Sequence, residues 1–213
     1  SYFMSYLPQV SKEHYFTRSY FNKERWVSYW YQVESVLSCL PRTLLEIGPG
    51  DRTVSETLEK RGVVVTTVDI AGDLLPKVTA SVTDLPFSKD SFDAVLTAEV
   101  LEHIRFEDVP RALQEIYRVT KRFAFFSLPH AGIVFSFGFK LPLFRRFDYI
   151  WKLPFFWEKH RFQGEHYWEL GKRGFGVSRI KKLFKAQGFA VREARLRADD
   201  PALKLKELME GLT

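Results

Sequence analysis

The chain has 213 residues, 46% hydrophobic and 27% charged, a composition typical of one soluble globular domain with a sizeable core and not of a disordered chain. Its single cysteine, Cys39, excludes an internal disulfide and a multi-cysteine metal cluster. It fits a reducing, cytoplasmic compartment, and we predict no metal site. The longest uncharged run, residues 123–139, is shorter than the roughly 20 apolar residues of a spanning helix, so no membrane span is predicted.

The net charge of +6 is unevenly distributed along the chain. Residues 1–130 contain 15 Lys and Arg against 17 Asp and Glu, whereas residues 131–213 contain 17 against 9. The basic character therefore belongs to the last part of the chain alone. Both a solubilising surface and a negatively charged partner are compatible with it.

The first 42 residues predict a helical segment. Trp26, Trp30, Val33 and Leu37 fall near helical spacing, and Pro41 ends the run. The aromatic residues of this segment either lie over a bound ligand or belong to the core. Those of interest are Tyr20, Trp26, Tyr29 and Trp30.

Residues 43–130 alternate between strand-like and helix-like segments. Strands are predicted in TLLEIG, VVVTTVDI, KVTASVTD, SFDAVLTAE and RFAFFSLP, and helices in TVSETLEKRG and DVPRALQEIYRV. The strands are apolar without polar alternation, which indicates burial on both faces. We predict an α/β domain with a doubly wound, mostly parallel sheet and helices on both faces.

Residues 131–176 break this alternation. They contain 14 aromatic residues in 46, together with several basic residues, and we predict an aromatic, basic helical cap that binds the acceptor. Residues 177–213 are predicted to complete the domain as helix, strand and helix, in SRIKKLFKAQGF, AVREARLR and PALKLKELMEGLT, the last opened by Pro201. The basic residues of the cap are Lys140, Arg145, Arg146, Lys152, Lys159 and Arg161.

Acidic residues and glycines stand where the predicted strands end, which is where open α/β sheets bind ligands. The stretch EIGPG, residues 46–50, ends the first strand, and Asp69, Asp84 and Glu99 end the next three. Glycines in the first loop allow ligand atoms to pack directly on the backbone. Asp69 follows that loop at the distance where an acid takes the hydroxyls of a ribose. A ribose-bearing cofactor is therefore predicted.

Two common nucleotide classes fit this loop poorly. Thr53 stands in place of the third glycine of a dinucleotide fingerprint, and the Gly-Lys-Ser/Thr of a P-loop is absent. The Glu46 carboxylate would repel phosphates, but it suits a ligand with an amino group and a positive sulfur. The loop thus argues against a nicotinamide dinucleotide.

The stretch from LLEIGPGDRTVSETLEKRG through VTTVDI to SVTDLPFSKDSFDAVLTAEVLEHI resembles the class I S-adenosylmethionine-dependent methyltransferases of the type 11-like subgroup. The resemblance covers about residues 43–130 and, loosely, 178–197. It implies a Rossmann-like fold, S-adenosyl-L-methionine as cofactor and S-adenosyl-L-homocysteine as product. Two departures stand out: Arg52 replaces a glycine of the loop, and PALKLKELMEGLT does not look like the family's last strand.

The resemblance also implies roles for single residues. Glu46 would organise the amino end of the methionine part, Asp69 would hold the ribose hydroxyls and Ile70 would pack on adenine. Asp84 and the backbone of Leu85 would meet the adenine amino group. The other implied cofactor-binding residues are Gly48, Pro49 and Gly50 in the loop and Glu99, Val100 and His103 nearer the acceptor.

Methyl transfer from a sulfonium depends mainly on in-line positioning and exclusion of water, so a general base is optional. His130, directly after the fifth strand, and His166, in GEHYWE, are the candidate catalytic bases. Each has a structural, hydrogen-bonded histidine as its alternative. The Asn/Asp-Pro-Pro-Tyr/Phe motif is absent after the fourth strand, so no DNA acceptor is expected.

Three interpretations of the cap remain open. It is a cover for the sheet edge, an apolar pocket for a small-molecule or lipid-like acceptor or else a surface that rests at an anionic membrane interface, or an RNA surface. RNA ranks lowest because no RNA-binding module is recognisable. The leading hypothesis is a methyltransferase acting on a small or amphipathic acceptor. A non-catalytic S-adenosylmethionine-binding sensor or scaffold and an RNA methyltransferase are its alternatives.

Overall fold

The computed structural model describes residues 6, 8–139, 147–162, 164–196 and 205–210. Two helices, α1 (Lys12–Tyr15) and α2 (Lys23–Ser38), come first, within the segment for which the sequence predicts helices. The side chain of Asn22 accepts a hydrogen bond of 2.8 Å from the backbone N–H of Arg25 and so caps the start of α2.

Five parallel strands follow and form the centre of the molecule. They are hydrogen-bonded in the order β3 (Val78–Thr79), β2 (Val64–Asp69), β1 (Thr43–Ile47), β4 (Phe92–Ala98) and β5 (Thr120–Leu128), which confirms the predicted parallel sheet. The third strand is much shorter than the sequence predicts. The elements are β1 (Thr43–Ile47), α3 (Thr53–Glu59), β2 (Val64–Asp69), β3 (Val78–Thr79), β4 (Phe92–Ala98), α4 (Val109–Val119) and β5 (Thr120–Leu128), with 3₁₀ turns at Gly72–Leu74 and Leu101–His103.

Both faces of the sheet are covered, as the uninterrupted apolar strands predict. Leu44 and Leu96 pack with α2 and α3 in one cluster, whereas Leu45 and Val95 pack with α4 and with α5 (Val177–Ala186) in another. Neighbouring residues of one strand point to opposite faces, so both need apolar side chains. This two-sided core holds the ends of β1, β2 and β4 side by side.

The C-terminal part adds α5 (Val177–Ala186), β8 (Ala190–Leu196) and β9 (Leu205–Glu210). β9 pairs antiparallel with both β5 and β8, which places β8 at the edge of the sheet. The predicted last helix is therefore wrong for residues 205–210, and Pro201 lies outside the described residues. Leu, Lys, Glu and Met favour a helix, but an unpaired β5 edge offers a full row of backbone hydrogen bonds, and this tertiary context overrides the local propensity.

The predicted helical cap is a second correction. β6 (Gly132–Phe139) and β7 (Phe147–Pro154) form an antiparallel hairpin, and no helix occurs among the residues described between 131 and 176. Ile133, Phe135 and Phe137 alternate on one exposed face, and aromatic and β-branched residues favour strands. Residues 140–146, with Lys140, Arg145 and Arg146, lie outside the described residues. Of the helices that the structure describes, none is long and apolar enough to cross a membrane.

Candidate active site

The loop after β1 turns sharply through two glycines. Gly48 and Gly50 have φ angles of 71° and 53°, in the left-handed region that favours glycine. A Cβ on Gly48 would lie 2.4 Å from Cγ2 of Val100, and one on Gly50 would lie 3.1 Å from the ring of Tyr15. Arg52, which stands where the resembled methyltransferases have a further loop glycine, also has a positive φ of 65°. The tight turn and the close approach of neighbours both explain the glycines.

This loop and the ends of β2, β3 and β4 surround a cavity of about 350 Å³, within the usual range for small-molecule sites. The structure brings ten of the thirteen predicted site residues to this cavity. Asp84, Leu85 and His130 are not among its lining residues. The ten are Glu46, Gly48, Pro49, Gly50, Asp69, Ile70, Glu99, Val100, His103 and His166.

Asp84 and Leu85 lie away from the cavity because β3 ends earlier than predicted. Asp84 is exposed, and the backbone N–H of Leu85 donates to the Glu115 carboxylate at 2.8 Å. The Leu85 carbonyl accepts from the Arg118 guanidinium at 2.9 Å. Residues 80–82, which directly follow the short strand, line the cavity instead. A correctly placed strand end would have identified them from the sequence.

His130 is a buried histidine outside the cavity. Burial, together with the nearby positive charge of Lys152, lowers its pKa to about 4, so its imidazole is neutral near pH 7. The Lys152 ammonium donates to the His130 carbonyl, and the residue pairs with Leu170 in an isolated bridge. The structure therefore does not bring this predicted base to the site.

Two carboxyl groups at the strand ends are shielded from solvent, that of Glu46 almost completely and that of Asp69 in part. Burial raises the pKa of Glu46 to about 8, although the hydroxyl of Ser55 and the charge of Arg52 lower it in part. Oε2 of Glu46 has no hydrogen-bond partner within the described part of the chain. Burial also raises the pKa of Asp69, whose Oδ1 accepts from the backbone N–H of Ala71 at 2.8 Å. A cationic or hydroxyl-bearing ligand would satisfy both groups.

The N-terminal segment closes one side of the cavity. Tyr15 and Tyr20 meet edge to face at 5.3 Å, and the Arg25 guanidinium lies 4.2 Å from the centroid of the Tyr20 ring. The same guanidinium forms a 2.9 Å ion pair with Glu99. Tyr29 also lines the cavity. The sequence does not single out Tyr15 and Arg25, because only the packed chain shows which side chains of this segment face the cavity.

The tryptophans of α2 behave differently from its tyrosines. Trp26 and Trp30 are 47% and 60% exposed, and neither lines the cavity. Tyr20 and Tyr29 therefore line the cavity, whereas the two exposed tryptophans lie neither at the cavity nor in the core.

Two histidines meet at the opposite wall of the cavity. The rings of His103 and His166 are 4.9 Å apart. Nδ1 of His103 lies 3.0 Å from the carbonyl oxygen of Glu165, and Nδ1 of His166 lies 3.2 Å from Oε1 of Glu169. Burial, and then the nearby His166, lowers the pKa of His103 to about 4. His103 therefore presents a neutral imidazole to the cavity at neutral pH.

Residues 45–128 match the family model described as a methyltransferase domain. The match includes the glycine loop and the strand ends that line the cavity, whereas the cavity walls formed by the N-terminal segment and by residues 165–166 lie outside it. The chain carries a class I S-adenosylmethionine-dependent methyltransferase domain. This confirms the resemblance seen in the sequence. The methyltransferase is an enzyme whose cofactor is S-adenosylmethionine.

Solved structures share the fold of this methyltransferase at low sequence identity. The Burkholderia thailandensis 1,6-didemethyltoxoflavin-N1-methyltransferase, with 1,6-didemethyltoxoflavin and S-adenosylhomocysteine bound, is 15% identical with a TM-score of 0.61, covering 97% of this chain and 93% of that chain. The N-methyltransferase NodS from Bradyrhizobium japonicum, with S-adenosylhomocysteine, is 12% identical with a TM-score of 0.60, covering 90% and 89%.

A third similar structure is the magnesium protoporphyrin IX methyltransferase from Synechocystis, with bound S-adenosylhomocysteine. It is 15% identical with a TM-score of 0.55, covering 89% of this chain and 86% of that chain. No curated protein sequence matches the chain.

Proposed function

We propose that this methyltransferase binds S-adenosylmethionine in the 350 Å³ cavity and methylates a small-molecule or lipid-like, amphipathic acceptor. The observation that carries the acceptor class is the exposed aromatic face of the β6–β7 hairpin. Phe137 and Trp151 are 78% and 53% exposed there, and Phe135 stacks on Trp151 with ring centroids 5.5 Å apart. An apolar face of this kind suits an acceptor with an apolar body.

The cavity residues fit the cofactor. Glu46 offers a buried carboxyl oxygen without a protein partner among the described residues, and we assign it to the amino group of the methionine part. Asp69 is assigned to the ribose hydroxyls, Ile70 and Val82 to the adenine walls, and Gly48 to the closest approach of the backbone. When bound, S-adenosylmethionine supplies an activated methyl group. The chain's own part is to orient the two reactants and exclude water.

Of the candidate bases, only the histidines in the cavity wall remain. His166 lines the cavity beside His103, whereas His130 does not. The Glu169 carboxylate next to Nδ1 of His166 orients the ring and leaves the other nitrogen to accept a proton. We assign His166 as the general base for a hydroxyl acceptor, a role that an amine acceptor does not require.

The chain segment that connects the hairpin to the cavity wall supports an acceptor that touches both. The segment after β7 returns to the cavity wall, where the backbone N–H of Tyr167 donates to the Glu102 carbonyl at 2.8 Å. The indole N–H of Trp168 donates to the Leu101 carbonyl at 3.0 Å. Two of the similar structures are named for small acceptors, 1,6-didemethyltoxoflavin and magnesium protoporphyrin IX, which agrees with a small-molecule acceptor here.

We further propose that the hairpin and the segment after it make peripheral contact with an anionic membrane. Phe156, Trp157 and Phe162 are all more than half exposed, and the exposed Lys159 and Arg161 stand between them. Aromatic side chains bury at the headgroup level while bases meet anionic lipids. The single free Cys39 supports a cytoplasmic location, which would make the inner leaflet the relevant surface.

The decisive experiment is methyl transfer from S-adenosylmethionine labelled in its methyl group. The purified protein is incubated with amphipathic hydroxyl and amine compounds, with lipid vesicles and with RNA, and each product fraction is counted. We expect label in an amphipathic small molecule or a lipid. Label in RNA would replace the proposed acceptor class, and cofactor binding without transfer to any class would favour the sensor or scaffold alternative.

A further inference from the structure

Three side chains that commonly bind metals converge at the wall of the cavity. Glu102 and His103 lie in the 3₁₀ turn after β4, and His166 lies in the segment that returns from the hairpin. One potential ligand atom from each of the three lies within 4.8 Å of the other two. The carboxylate of Glu102 has no assigned role in binding the cofactor.

Glu102 differs from the two histidines because its carboxyl group is buried and has no hydrogen-bond partner among the described residues. Its side chain is 1% exposed, and neither carboxylate oxygen has a hydrogen-bond partner among the residues that the structure describes. Burying a carboxylate without a partner is strongly unfavourable, and buried charges are normally paired or bind a metal. A cation beside the two histidines would supply that partner.

The two imidazoles are oriented as metal-binding histidines usually are. Nδ1 of His103 lies 2.8 Å from Oε1 of Gln9 and 3.0 Å from the Glu165 carbonyl oxygen, which are both acceptors. Nδ1 of His166 lies 3.2 Å from a Glu169 carboxylate oxygen. Each Nδ1 therefore carries the hydrogen, and each lone pair is at Nε2. Such contacts to the second nitrogen fix the tautomer and orientation of a ligating histidine.

We propose that Glu102, His103 and His166 bind a divalent transition-metal ion of the zinc, manganese or iron type. Two imidazoles and one carboxylate suit these ions better than calcium or magnesium, which prefer oxygen ligands. Two ligands at about 2.1 Å from one ion are at most about 4.2 Å apart, so the side chains close by several tenths of an ångström on binding. The sequence gives no hint of the site, because its ligands come from two distant segments.

The position of the ion suggests its use, an inference that rests on the proposed function. Three protein ligands leave coordination positions open, and His103 and His166 both line the cavity. With its lone pair on the ion, His166 would no longer act as a general base. The ion would instead bind an oxygen atom of the acceptor, favour its deprotonated form and fix its orientation. The acceptor would then be a compound with a hydroxyl or carboxylate near the site of methylation.

The test titrates chelator-treated, metal-free protein with Mn²⁺, Zn²⁺, Mg²⁺ and Ca²⁺ by calorimetry, and follows bound Mn²⁺ by electron paramagnetic resonance. We expect one Mn²⁺ or Zn²⁺ per chain and much weaker Mg²⁺ and Ca²⁺ binding. His166→Ala and Glu102→Gln should each lower the affinity at least about 100-fold, because each removes a direct ligand. His14→Ala, at an exposed histidine outside the cluster, is the matched control and should leave it unchanged.

Two results would overturn the site: no stoichiometric binding of Mn²⁺ or Zn²⁺, or binding that both ligand variants retain. Circular dichroism and S-adenosylhomocysteine binding of each variant show that the domain is still folded. The readout needs no methyl transfer. In the wild-type protein, absence of metal binding with intact S-adenosylhomocysteine binding rejects the metal site alone, whereas metal binding without S-adenosylhomocysteine binding rejects the proposed function.

Discussion

The parallel core and the β6–β7 hairpin are built from similarly apolar strands, yet their side chains meet opposite surroundings. Leu45 and Val95 in the core are fully buried under helices, whereas Phe137 and Trp151 in the hairpin are 78% and 53% exposed. The core covers its own apolar surface and holds the cofactor cavity in place. The hairpin leaves its surface for something else to cover. The buried core thus carries the proposed cofactor site, and the exposed hairpin offers the proposed surface for the acceptor or a membrane.

The largest effect on ligand binding should come from Gly48→Ala, which changes the loop at the edge of the buried core. The new Cβ would lie 2.4 Å from Val100, at a φ of 71°. Overpacking and left-handed strain together reach about 3 kcal/mol, so S-adenosylhomocysteine affinity should fall ~100-fold or more. Calorimetric titration measures the loss.

Gly62→Ala is the matched control for this variant. Gly62 has a φ of 86°, but a Cβ added there would meet no atom within 4 Å. The same left-handed strain lowers stability by about 1–2 kcal/mol, while cofactor affinity stays unchanged. Equal losses of affinity in both variants would show that strain alone, and not the close approach, matters at the loop.

Asp69→Ala should have the next largest effect. Hydrogen bonds to a charged group contribute about 1.5–3 kcal/mol, so S-adenosylhomocysteine affinity should fall about 10- to 100-fold. Burial raises the pKa of Asp69, so its charge destabilises the fold at pH 7; relief of this cost offsets the lost hydrogen bond from the Ala71 N–H, and the melting temperature should change little. The exposed Asp73, four residues further on, gives the control Asp73→Ala. Unchanged affinity in a folded Asp69→Ala protein would refute the ribose assignment.

Phe137→Ser tests the exposed half of the comparison. Losing one partly inserted aromatic side chain weakens interfacial binding by about 1.5 kcal/mol, which is about tenfold. Flotation with phosphatidylcholine vesicles, with and without phosphatidylserine, measures it, and cofactor binding should not change. Trp30→Ser removes an aromatic side chain that is 60% exposed on α2, and it should not affect flotation. Equal effects of both substitutions would argue against a specific hairpin surface.

The last prediction concerns stability and not ligand binding, through the pH dependence of unfolding at Glu46. Burial raises its pKa to about 8 from the usual 4.5, so the folded protein keeps a proton that the unfolded chain releases. The stabilisation is complete below pH 4.5 and is lost as the pH rises towards 8, at about 1.4 kcal/mol per pH unit at most. Glu46→Gln should flatten this part of the slope in cofactor-free protein. Chemical denaturation at several pH values measures this slope. If Glu46 were already ionised in the folded protein, the wild type and Glu46→Gln would show the same change of unfolding free energy with pH.

The sequence predicts the core well because its signals are local. Gly48 and Asp69 follow apolar strands directly, and in a parallel sheet such positions meet at one edge. Asp84 does not line the cavity, because β3 has only two residues and the chain leaves the cavity earlier than the pattern suggests. The helix predicted for residues 205–210 is wrong because propensity does not register the open edge of β5.

The rest of the site depends on contacts between distant segments. The encounter of His103 with His166, and that of Arg25 with Glu99, join residues more than 60 positions apart. No local periodicity reports such pairs, because only the packed chain brings them together. The hairpin escapes prediction for a different reason: aromatic residues and prolines suit either a helical cover or a short exposed strand pair until the register is known.

The central claim is that the loop of Gly48 and Gly50 forms an S-adenosylmethionine site, and a calorimetric titration tests it most directly. The protein is titrated with S-adenosylmethionine, with S-adenosylhomocysteine and with NAD as the control. The account predicts one site per chain for the first two ligands, lost in Gly48→Ala and kept in Gly62→Ala, and no binding of NAD. Preference for NAD, or no binding of either sulfur ligand, would contradict it.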